Sequence, residues 1–458
     1  MRWLVAAGLV SAAILVGAAP EAEANGRAPG TSSIHFRRGH DADIVAGMTF
    51  GVILTHDHGV TWHWMCEDAV GYGGTYDPDY VYSASGSVFA TTFDGLRVMR
   101  DGCTFGLVDE AVNFFSEVSE DSSGKLFFAA AQTASGTNPG NSSIYSSTDD
   151  GVTLSPPVSP GMPGDWWSSL EVAPSNPQRI YATGYRFAQG AKVIFSFRST
   201  DGGATYQPMP TTGLTLMPNS KLEIAGISAT NPDLVYAHVV LEDNAITDAL
   251  YRSMDGGQSW TRILGKPGSL AVLVRSNGDL IAGIPSERLQ RSTDQGVTWT
   301  PLAGAPHSTC VVESAAHEVW ACSQELTSQT APGDGFTIMK STDNLASWSG
   351  VLKFADIQAP VACDAGTIQH DTCDRNPNHF LGWCGLCAQL GCTPAADYGC
   401  PGAAVDAPPG VDAPIIVGTD SGTGGGTGCC DTGASGSAGA LVLGAGVALV
   451  LATRRKQR

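Results

Sequence analysis

Carboxylates are the side chains of this 458-residue chain that could most directly do chemistry. Two carboxyl groups facing each other across a groove can hydrolyse a glycosidic bond, one as acid and the other as base or nucleophile. Asp165, Glu171 and Glu223 are candidates, and Trp166-Trp167 could stack on a sugar ring. An acidic chain supplies such residues by chance, and aromatic pairs more often pack inside sheets. This pattern alone therefore does not predict an enzyme.

Metal and cofactor chemistry has weaker support. His56 and His58 flank Asp57, but all three belong to one short turn, where we expect the two imidazoles to point to solvent. Glu242-Asp243-Asn244 lacks the 12-residue ligand loop of a calcium site. No phosphate-binding glycine motif and no nucleophile elbow is visible. We therefore expect no metal site, no cofactor and no assigned catalytic residue.

A repeated phrase, S-T-D-x-G-x-T-W, dominates the sequence. Its copies are 39 to 54 residues apart, which indicates one supersecondary unit repeated around or along an axis. The phrase has six full copies and one incomplete copy at Asp101. Their aspartates are Asp57, Asp101, Asp149, Asp201, Asp255, Asp294 and Asp343.

Each copy follows a short apolar strand and leads into another that begins at an aromatic residue or Leu, which predicts a β-hairpin turn. Ser or Thr and the Asp can bond the turn's own amides, and Gly two residues after the Asp supplies a positive φ. The final aromatic should pack between sheets. Leu345 replaces the Gly after Asp343, and the Asp101 copy is one residue short. We expect a different conformation in these two turns.

These turns resemble the Asp-box, or bacterial neuraminidase repeat, of sialidases, sortilin-type receptors, some xyloglucanases and a photosystem assembly factor. The resemblance covers about residues 30–360. It implies an all-β fold, a seven-bladed β-propeller with four strands per blade and every box on one rim. A second phrase, at residues 174–182 and 231–237, is similar to the turn between the first two strands of such blades, and residues 77–82 look like a relative.

Two enzyme activities occur among the proteins that these turns resemble, those of sialidases and of xyloglucanases. Sialidases use three arginines to clamp a substrate carboxylate. Arg37 and Arg38 lie early in the chain, where sialidases carry their first arginine, but the Ile-Pro that follows it in sialidases is missing. Arg252 and Arg291 directly precede boxes, which places them on the outer hairpin, away from a central pocket. Sialidases also usually have six blades. Enzymes similar to xyloglucanases generally use two tandem propellers, whereas this chain has one.

Twelve cysteines in an exported chain predict disulfides. Cys66 and Cys103 belong to adjacent blades, and Cys310 and Cys322 to two strands that could form a bridged hairpin. Residues 361–400 form a predicted Cys-rich module, for which we expect three disulfides in one of 15 pairings. A half zinc site at Cys384-x-x-Cys387 is the alternative. The six cysteines of this module are Cys363, Cys373, Cys384, Cys387, Cys392 and Cys400.

Both ends of the chain carry targeting signals. Residues 1–24 are a predicted signal peptide with an Ala22-Glu23-Ala24 cleavage site. Residues 401–428 form a flexible linker, and Cys429 and Cys430 precede an apolar helix and a basic end within residues 429–458. This order resembles the myxobacterial-type C-terminal sorting tail (MYXO-CTERM), which implies processing near one of the two cysteines, candidate lipid carriers, and anchoring at the cell surface. An uncleaved transmembrane anchor is the alternative.

These observations favour an exported, surface-anchored propeller over residues 25–360 that binds a protein or glycan without catalysis. A secreted glycoside hydrolase and an assembly factor for an exported complex are the alternatives. A net charge of −19 argues against nucleic acid as a partner. We expect a monomer that contacts the membrane only through its C-terminal tail.

Overall fold

Seven antiparallel sheets surround one axis, so the protein is the seven-bladed β-propeller that the repeat predicts. The innermost strand of every sheet packs against the innermost strands of its two neighbours, and this ring closes. The structure, a computed structural model, describes residues 28–73, 76–109, 114–132, 140–243, 246–328, 331–374, 382–394, 398 and 400. The predicted signal peptide, linker and C-terminal tail, with Cys429 and Cys430, lie outside these residues.

The strands of each blade run from the axis outward in chain order. Blade 1 holds β1 (Thr31–Arg37), β2 (His40–Met48), β3 (Gly51–Thr55) and β4 (His63–Met65). Blade 2 holds β5 (Tyr80–Tyr82), β6 (Val88–Thr92), β7 (Gly95–Met99) and β8 (Phe105–Leu107). Blade 3 holds β9 (Phe115–Glu120), β10 (Leu126–Gln132) and β11 (Asn141–Ser147).

The other four blades each have four strands. Blade 4 holds β12 (Trp166–Val172), β13 (Ile180–Ala188), β14 (Ala191–Ser199) and β15 (Gln207–Pro208). Blade 5 holds β16 (Lys221–Ile227), β17 (Val235–Val240), β18 (Thr247–Ser253) and β19 (Thr261–Pro267). Blade 6 holds β20 (Ala271–Val274), β21 (Leu280–Ile284), β22 (Glu287–Ser292) and β23 (Thr300–Pro301). Blade 7 holds β24 (Ser308–Glu313), β25 (Val319–Ser323), β26 (Ile338–Ser341) and β27 (Ser349–Leu352).

Burial explains which segments form the inner and which the outer strands. Neighbouring blades cover both faces of the second strand of a blade. All five residues of β21, the second strand of blade 6, are therefore buried. The outermost strands β15 and β23 have only two residues each, all exposed. Because a strand covered on both faces needs apolar residues at every position, the propeller core follows the second strands of the blades.

Blade 3 departs from the predicted four strands. Its outer position holds only an isolated bridge between Ile144 and Val158. The segment there contains Pro156, Pro157 and Pro160. Proline has no amide hydrogen and cannot donate to a strand ladder, so a regular outer strand does not form.

The second repeated phrase predicts a turn between the first two strands of a blade, and the structure confirms this at residues 173–179 but not at residues 77–82. Residues 173–179 connect β12 to β13, the first and second strands of a blade, as the phrase predicts. The interpretation of residues 77–82 as a relative is wrong, because β5 is itself the innermost strand of blade 2. The short β5 is followed by a tight turn in which the amide of Ser83 donates to the carbonyl of Ser87.

The segment that follows blade 7 joins the end of the propeller to blades 1 and 2. A fifth strand, β28 (Ala359–Pro360), pairs in parallel with β4 of blade 1. Disulfides then join Cys363 to Cys103 of blade 2, and Cys373 to Cys66 of blade 1. Each covalent link ties the end of the propeller to its beginning.

These bridges correct one expectation about the cysteines and exclude its alternative. The predicted module is not closed by three internal disulfides, because only Cys384–Cys400 and Cys387–Cys392 lie within it. These two bridges occupy both cysteines of the proposed half zinc site. Cys310 and Cys322 face each other on β24 and β25 and form the hairpin bridge that the sequence indicates.

Among the residues that the structure describes, helical structure is confined to short segments. They are α1 (Glu67–Val70), α2 (Trp383–Leu390), a 3-10 turn at Phe354–Asp356 and a π turn at Gln369–Asp374. Trp383 of α2 is buried in the same apolar cluster as Trp64 of blade 1. Within the described ranges, no helix is long and apolar enough to cross a membrane.

Candidate functional site

The two ends of the propeller carry different turns. We call the end that holds the seven repeated turns the repeat face, since each of these turns follows the third strand of its blade. The opposite end, the loop face, holds the turns between second and third strands and the connections from one blade to the next. Because all blades share one order of strands, this division holds around the whole ring.

Each repeated turn is closed by its own side chains. In blade 5, Ser253 Oγ donates to Asp255 Oδ1 at 2.7 Å and accepts the Gly257 amide at 2.8 Å. Asp255 Oδ1 accepts the Ser259 amide at 2.9 Å, and Oδ2 accepts the Ser259 hydroxyl at 2.6 Å. We did not predict from the sequence that the hydroxyl four residues after the Asp bonds to its carboxylate, although Thr or Ser occupies this position in all six full copies.

These hydrogen bonds stabilise the charged form of the aspartates. At Asp294, the hydroxyl and amide of Thr298 and the hydroxyl of Ser292 lower the carboxyl pKa to about 2. At Asp57 and Asp255 partial burial acts against the lowering, but bonds of the same kind outweigh it and the pKa is again about 2. The carboxylates are therefore parts of the turns and are not available as acids.

The backbone needs two left-handed residues after the Asp. In blade 6 these are Gln295 and Gly296, with φ of 59° and 88°. The expected different conformation at Asp343 is wrong, since Asn344 and Leu345 have φ of 56° and 74°. The Leu345 amide also donates to Ser341 Oγ at 3.0 Å. Leu345 is buried between blades 6 and 7, and this burial offsets the strain.

The short turn at Asp101 does differ. Only Gly102 is left-handed there, and the Asp101 carboxylate accepts the amides of Cys103 and Thr104. The disulfide from Cys103 to Cys363 leaves this turn toward the C-terminal segment.

Basic residues just before the turns connect neighbouring blades. Arg198 donates to the carbonyl of Gly256 at 2.8 Å, and Arg252 to the carbonyl of Gln295 at 3.0 Å. Arg291 instead pairs within its own blade, with Asp279 at 2.5 Å. Arg37 pairs with Asp43 and Arg38 with Glu120, at 2.9 and 3.1 Å. The four arginines considered for a substrate clamp therefore have separate structural partners around the repeat face.

His58 does not simply point to solvent, which corrects the sequence expectation. Its Nε2 lies 2.7 Å from Glu318 Oε2, and its ring packs edge-on against Trp320 of blade 7. His56 is more exposed and contacts Asp43 at 2.8 Å. Across the residues that the structure describes, no three His, Cys, Asp or Glu side chains form a group that could hold a metal ion.

The three candidate catalytic carboxylates have three different environments. Asp165 is buried and accepts from Arg186 at 2.8 Å. Glu223 is buried, with Lys221 Nζ at 2.7 Å. Glu171 is half-buried on the innermost strand β12, and its pKa is raised to about 8 by burial and by the negative charge of Asp79. No salt bridge or hydrogen bond joins any two of the three.

Glu223 also belongs to a buried charged network that sequence reasoning missed. His238 lies between Glu223 at 3.3 Å and Asp248 at 3.0 Å, and all three side chains are buried. Burial alone would lower the pKa of His238, but its bonds to Asp248 and Glu223 raise it to about 9. The network crosses β16, β17 and β18 and ties them together near the loop face.

A row of four aromatic rings crosses blades 2 to 4 on the loop face. We call Tyr76, Phe93, Phe114 and Trp166 the aromatic row. Their consecutive ring centroids are 4.4, 4.8 and 4.9 Å apart. Phe93 is 44% exposed, whereas Tyr76 and Phe114 are buried behind it. The tryptophan pair of the sequence is split, because Trp166 joins the row and Trp167 packs in the core.

The backbone at Phe114 is strained. Its φ is +53°, a left-handed conformation that is unusual for a bulky residue and costs about 1–3 kcal/mol. The carbonyl of Phe114 accepts the amide of Ala131, which fixes the strained residue to β10. Strain of this kind is often found at functional sites, and here it holds the ring that stacks on Phe93.

A cleft of about 310 Å³ opens beside the exposed end of the row. Phe93, Asp94 and Arg97 line it from blade 2, and α1 with the connection after it forms the rest. The lining residues are Asp68, Gly71, Tyr72, Gly73, Phe93, Asp94 and Arg97. No sequence pattern brings residues 68–73 and 93–97 together, because they lie on two different blades.

The fold has low-identity likenesses among solved structures. An ancestral GH74 enzyme is 13% identical, and the alignment covers 70% of this chain and 46% of that enzyme, with a TM-score of 0.51. A GH74 xyloglucanase from Xanthomonas campestris is 15% identical over 72% of this chain and 65% of that one, with a TM-score of 0.34. YCF48 bound to D1 peptide is 14% identical over 51% and 65%, with a TM-score of 0.32.

These likenesses concern the fold alone. This chain spans less than half the length of the ancestral GH74 enzyme. No protein-family model and no curated protein sequence matches the chain.

Proposed function

We propose that the protein is a non-enzymatic binding module that holds an extended protein or glycan on its loop face. The observation that carries this proposal is the aromatic row beside the cleft. It joins three blades, and it exposes Phe93 next to Asp94 and Arg97. Large aromatic side chains beside a few polar groups are typical of ligand sites. The exposed apolar side chains of the repeated turns are Val60, Val152, Met254 and Val297, one in each of four turns, and none of these four is aromatic.

The test compares the two faces. The full-length protein and two variants, Phe93→Ala on the loop face and Val297→Ala on the repeat face, are screened against arrays of glycans and of exported proteins. We expect Phe93→Ala to weaken capture of the ligand and Val297→Ala to leave it unchanged. A ligand lost with Val297→Ala and kept with Phe93→Ala would show that the loop face is not the binding surface.

Glycoside hydrolysis is supported less well. Asp165 and Glu223 are bound to Arg186 and Lys221, so neither is placed to exchange a proton with a substrate. Glu171 has the raised pKa of a general acid, but the negative charge of Asp79, which directly precedes the innermost strand β5, opposes a second charge there. A glycosidase needs its second carboxylate across a groove from the first.

We further propose that the protein is exported and anchored at the cell surface by its C-terminal tail. Five disulfides among the described residues support export, since such bridges persist in oxidising compartments. The apolar stretch and the basic end of residues 434–458 support anchoring.

A truncation after Gly428 tests the anchor. The shortened protein should appear in the medium, and the Cys429→Ser, Cys430→Ser double variant should keep its tail unprocessed or be mislocalised. If the truncated protein stays attached to cells as firmly as the full chain, the tail is not the anchor.

A further inference from the structure

We propose that the cleft and the aromatic row form a binding site for neutral carbohydrate, in which a sugar ring stacks on Phe93 and its hydroxyls bond to Asp94 and Arg97. This inference rests on the proposed binding function and narrows it to one class of ligand.

The first argument is the geometry of the aromatic surface. The Phe93 side chain is 44% exposed, and its ring contacts Tyr76 at 4.4 Å and Phe114 at 4.8 Å between ring centroids. Only Phe93 and the half-buried Trp166 can therefore touch a ligand, while the two buried rings support them. A sugar presents an apolar C–H face to an aromatic ring, and such contact requires a ring that stays accessible to solvent.

The second argument is rigidity. The Tyr76 hydroxyl donates to the Thr91 carbonyl at 3.0 Å, which fixes the first ring of the row. Phe114 is held by its left-handed backbone in a stacked position with 28° between its ring plane and that of Phe93. A ligand that meets a fixed platform loses less free energy to ordering the protein on binding.

The third argument is the polar end of the cleft. The Asp94 side chain is 75% exposed, and it lies 3.9 Å from Arg97. Arg97 Nε is buried without a hydrogen-bond partner among the described residues, and Nη1 reaches only the Phe105 carbonyl at 3.4 Å. A carboxylate accepts from sugar hydroxyls, and a guanidinium donates to their oxygens through its planar fork.

The shape of this polar end depends on one glycine. Gly71 has φ of +94°, and a Cβ placed on it would lie 2.3 Å from Arg97 Nε. The backbone after α1 thus rests directly on the guanidinium and sets where it can donate. A larger residue at this position would push Arg97 out of the cleft.

Charge selects a neutral ligand. Asp68 and Asp94 both line the cleft beside the single Arg97, and the whole chain carries a net charge of −19. Uronic acids, sulfated sugars and acidic peptides would meet like charge there. A volume of about 310 Å³ lies at the lower end of ligand sites, so the cleft itself takes a small unit and the row extends the contact.

The experiment uses arrays of neutral and of acidic oligosaccharides, followed by calorimetry of the full-length protein with each neutral oligosaccharide that binds. Phe93→Ala should weaken binding at least about tenfold, whereas Phe93→Trp should retain it. Arg97→Lys should weaken binding several-fold, because the point charge lacks the fork. Gly73→Tyr should block the cleft, since a Cβ at Gly73 meets open space and the fold is not disturbed.

Phe187→Ala is the matched control, because Phe187 is also an exposed aromatic residue of the loop face but lies on the β13–β14 hairpin, outside the row. It should bind like wild type. Equal binding by wild type and Phe93→Ala, or selective binding of acidic sugars, would overturn the carbohydrate inference. An exported protein whose capture depends on Phe93, with no oligosaccharide bound, would overturn it as well but leave the proposed binding function standing. Capture that no loop-face variant changes would contradict both.

Discussion

The repeat face and the loop face are built from turns of opposite kinds. On the repeat face, six turns share one set of hydrogen bonds and one pair of left-handed residues, and the Ser or Thr hydroxyl and the Asp carboxylate of each turn bond inside it. On the loop face, the connections differ from blade to blade. They include the strained Phe114, the buried His238 network and the cleft beside Arg97.

This difference separates stability from binding. A turn closed by its own side chains needs no ligand, and its repetition around the ring ties each blade to the next. The loop face exposes the large ring of Phe93 beside the strained Phe114, whereas left-handed residues on the repeat face, such as Leu345, are held by the bonds and burial of their turns. Such features are retained where they serve a site, so function is expected on the face that lacks the repeat.

The largest expected effect is the loss of a ring behind the repeat face. Trp260 is buried between blades 4 and 5, beside Tyr181 and Met209. Trp260→Ala removes this ring and should destabilise the protein by about 3–5 kcal/mol, as measured by urea unfolding. Ligand binding on the loop face should stay the same.

Trp299→Ala is the control, because Trp299 holds the same position in the blade 6 turn but is only half-buried. It should cost less than Trp260→Ala. A loss below about 1 kcal/mol for Trp260→Ala would mean that this ring contributes little to packing. A loss of ligand affinity at full stability would break the separation between the two faces.

The sequence predicts the repeat face well because its information is local. Ser253, Asp255 and Gly257 lie within five positions of each other, so spacing alone indicates how they bond. The ring closure is not local. Cys66 and Cys373 are 307 residues apart, and nothing near either cysteine identifies its partner. The prediction of three disulfides within the C-terminal module failed for this reason.

A smaller effect should follow from removing one hydroxyl of a repeated turn. Ser253 is buried, and its Oγ bonds to both Asp255 and the amide of Gly257. Ser253→Ala leaves that amide without its partner and should cost about 1–3 kcal/mol in unfolding free energy. Ser253→Thr should be nearly neutral, since Thr55 makes the same bonds in blade 1. Equal losses in both variants would point to packing at Ser253 rather than to its hydroxyl.

The candidate site could be predicted only in part. Trp166 was singled out by its pairing with Trp167, and the structure places it in the aromatic row. Phe93 and Arg97 carry no signal in the sequence, because a turn in blade 2 meets the connection from blade 1 only after both blades have folded. The same holds for His238, whose partner Asp248 is separated from it by a loop.

The smallest expected effects concern pH, and they have opposite signs on the two faces. The aspartates of the six full repeated turns have a pKa of about 2 in the folded protein, against about 3.9 in an unfolded chain. Their contribution to stability is therefore present above about pH 4 and is lost as the pH falls toward 2. Solvent screens these exposed turns, so each one contributes little.

His238 acts in the other direction. Its folded pKa of about 9 lies above the unfolded value of about 6.5, so its contribution is full below pH 6.5 and is lost as the pH rises through 9. Thermal unfolding followed from pH 2 to 10 should show both declines. Asp294→Asn should reduce only the acid decline, because Asp294 belongs to the repeat face, and His238→Gln should reduce only the alkaline one, part of which also comes from Glu171 with its raised pKa of about 8. A wild-type melting temperature that is constant between pH 6.5 and 10 would mean that the blade 5 network does not hold a charged imidazole between Glu223 and Asp248.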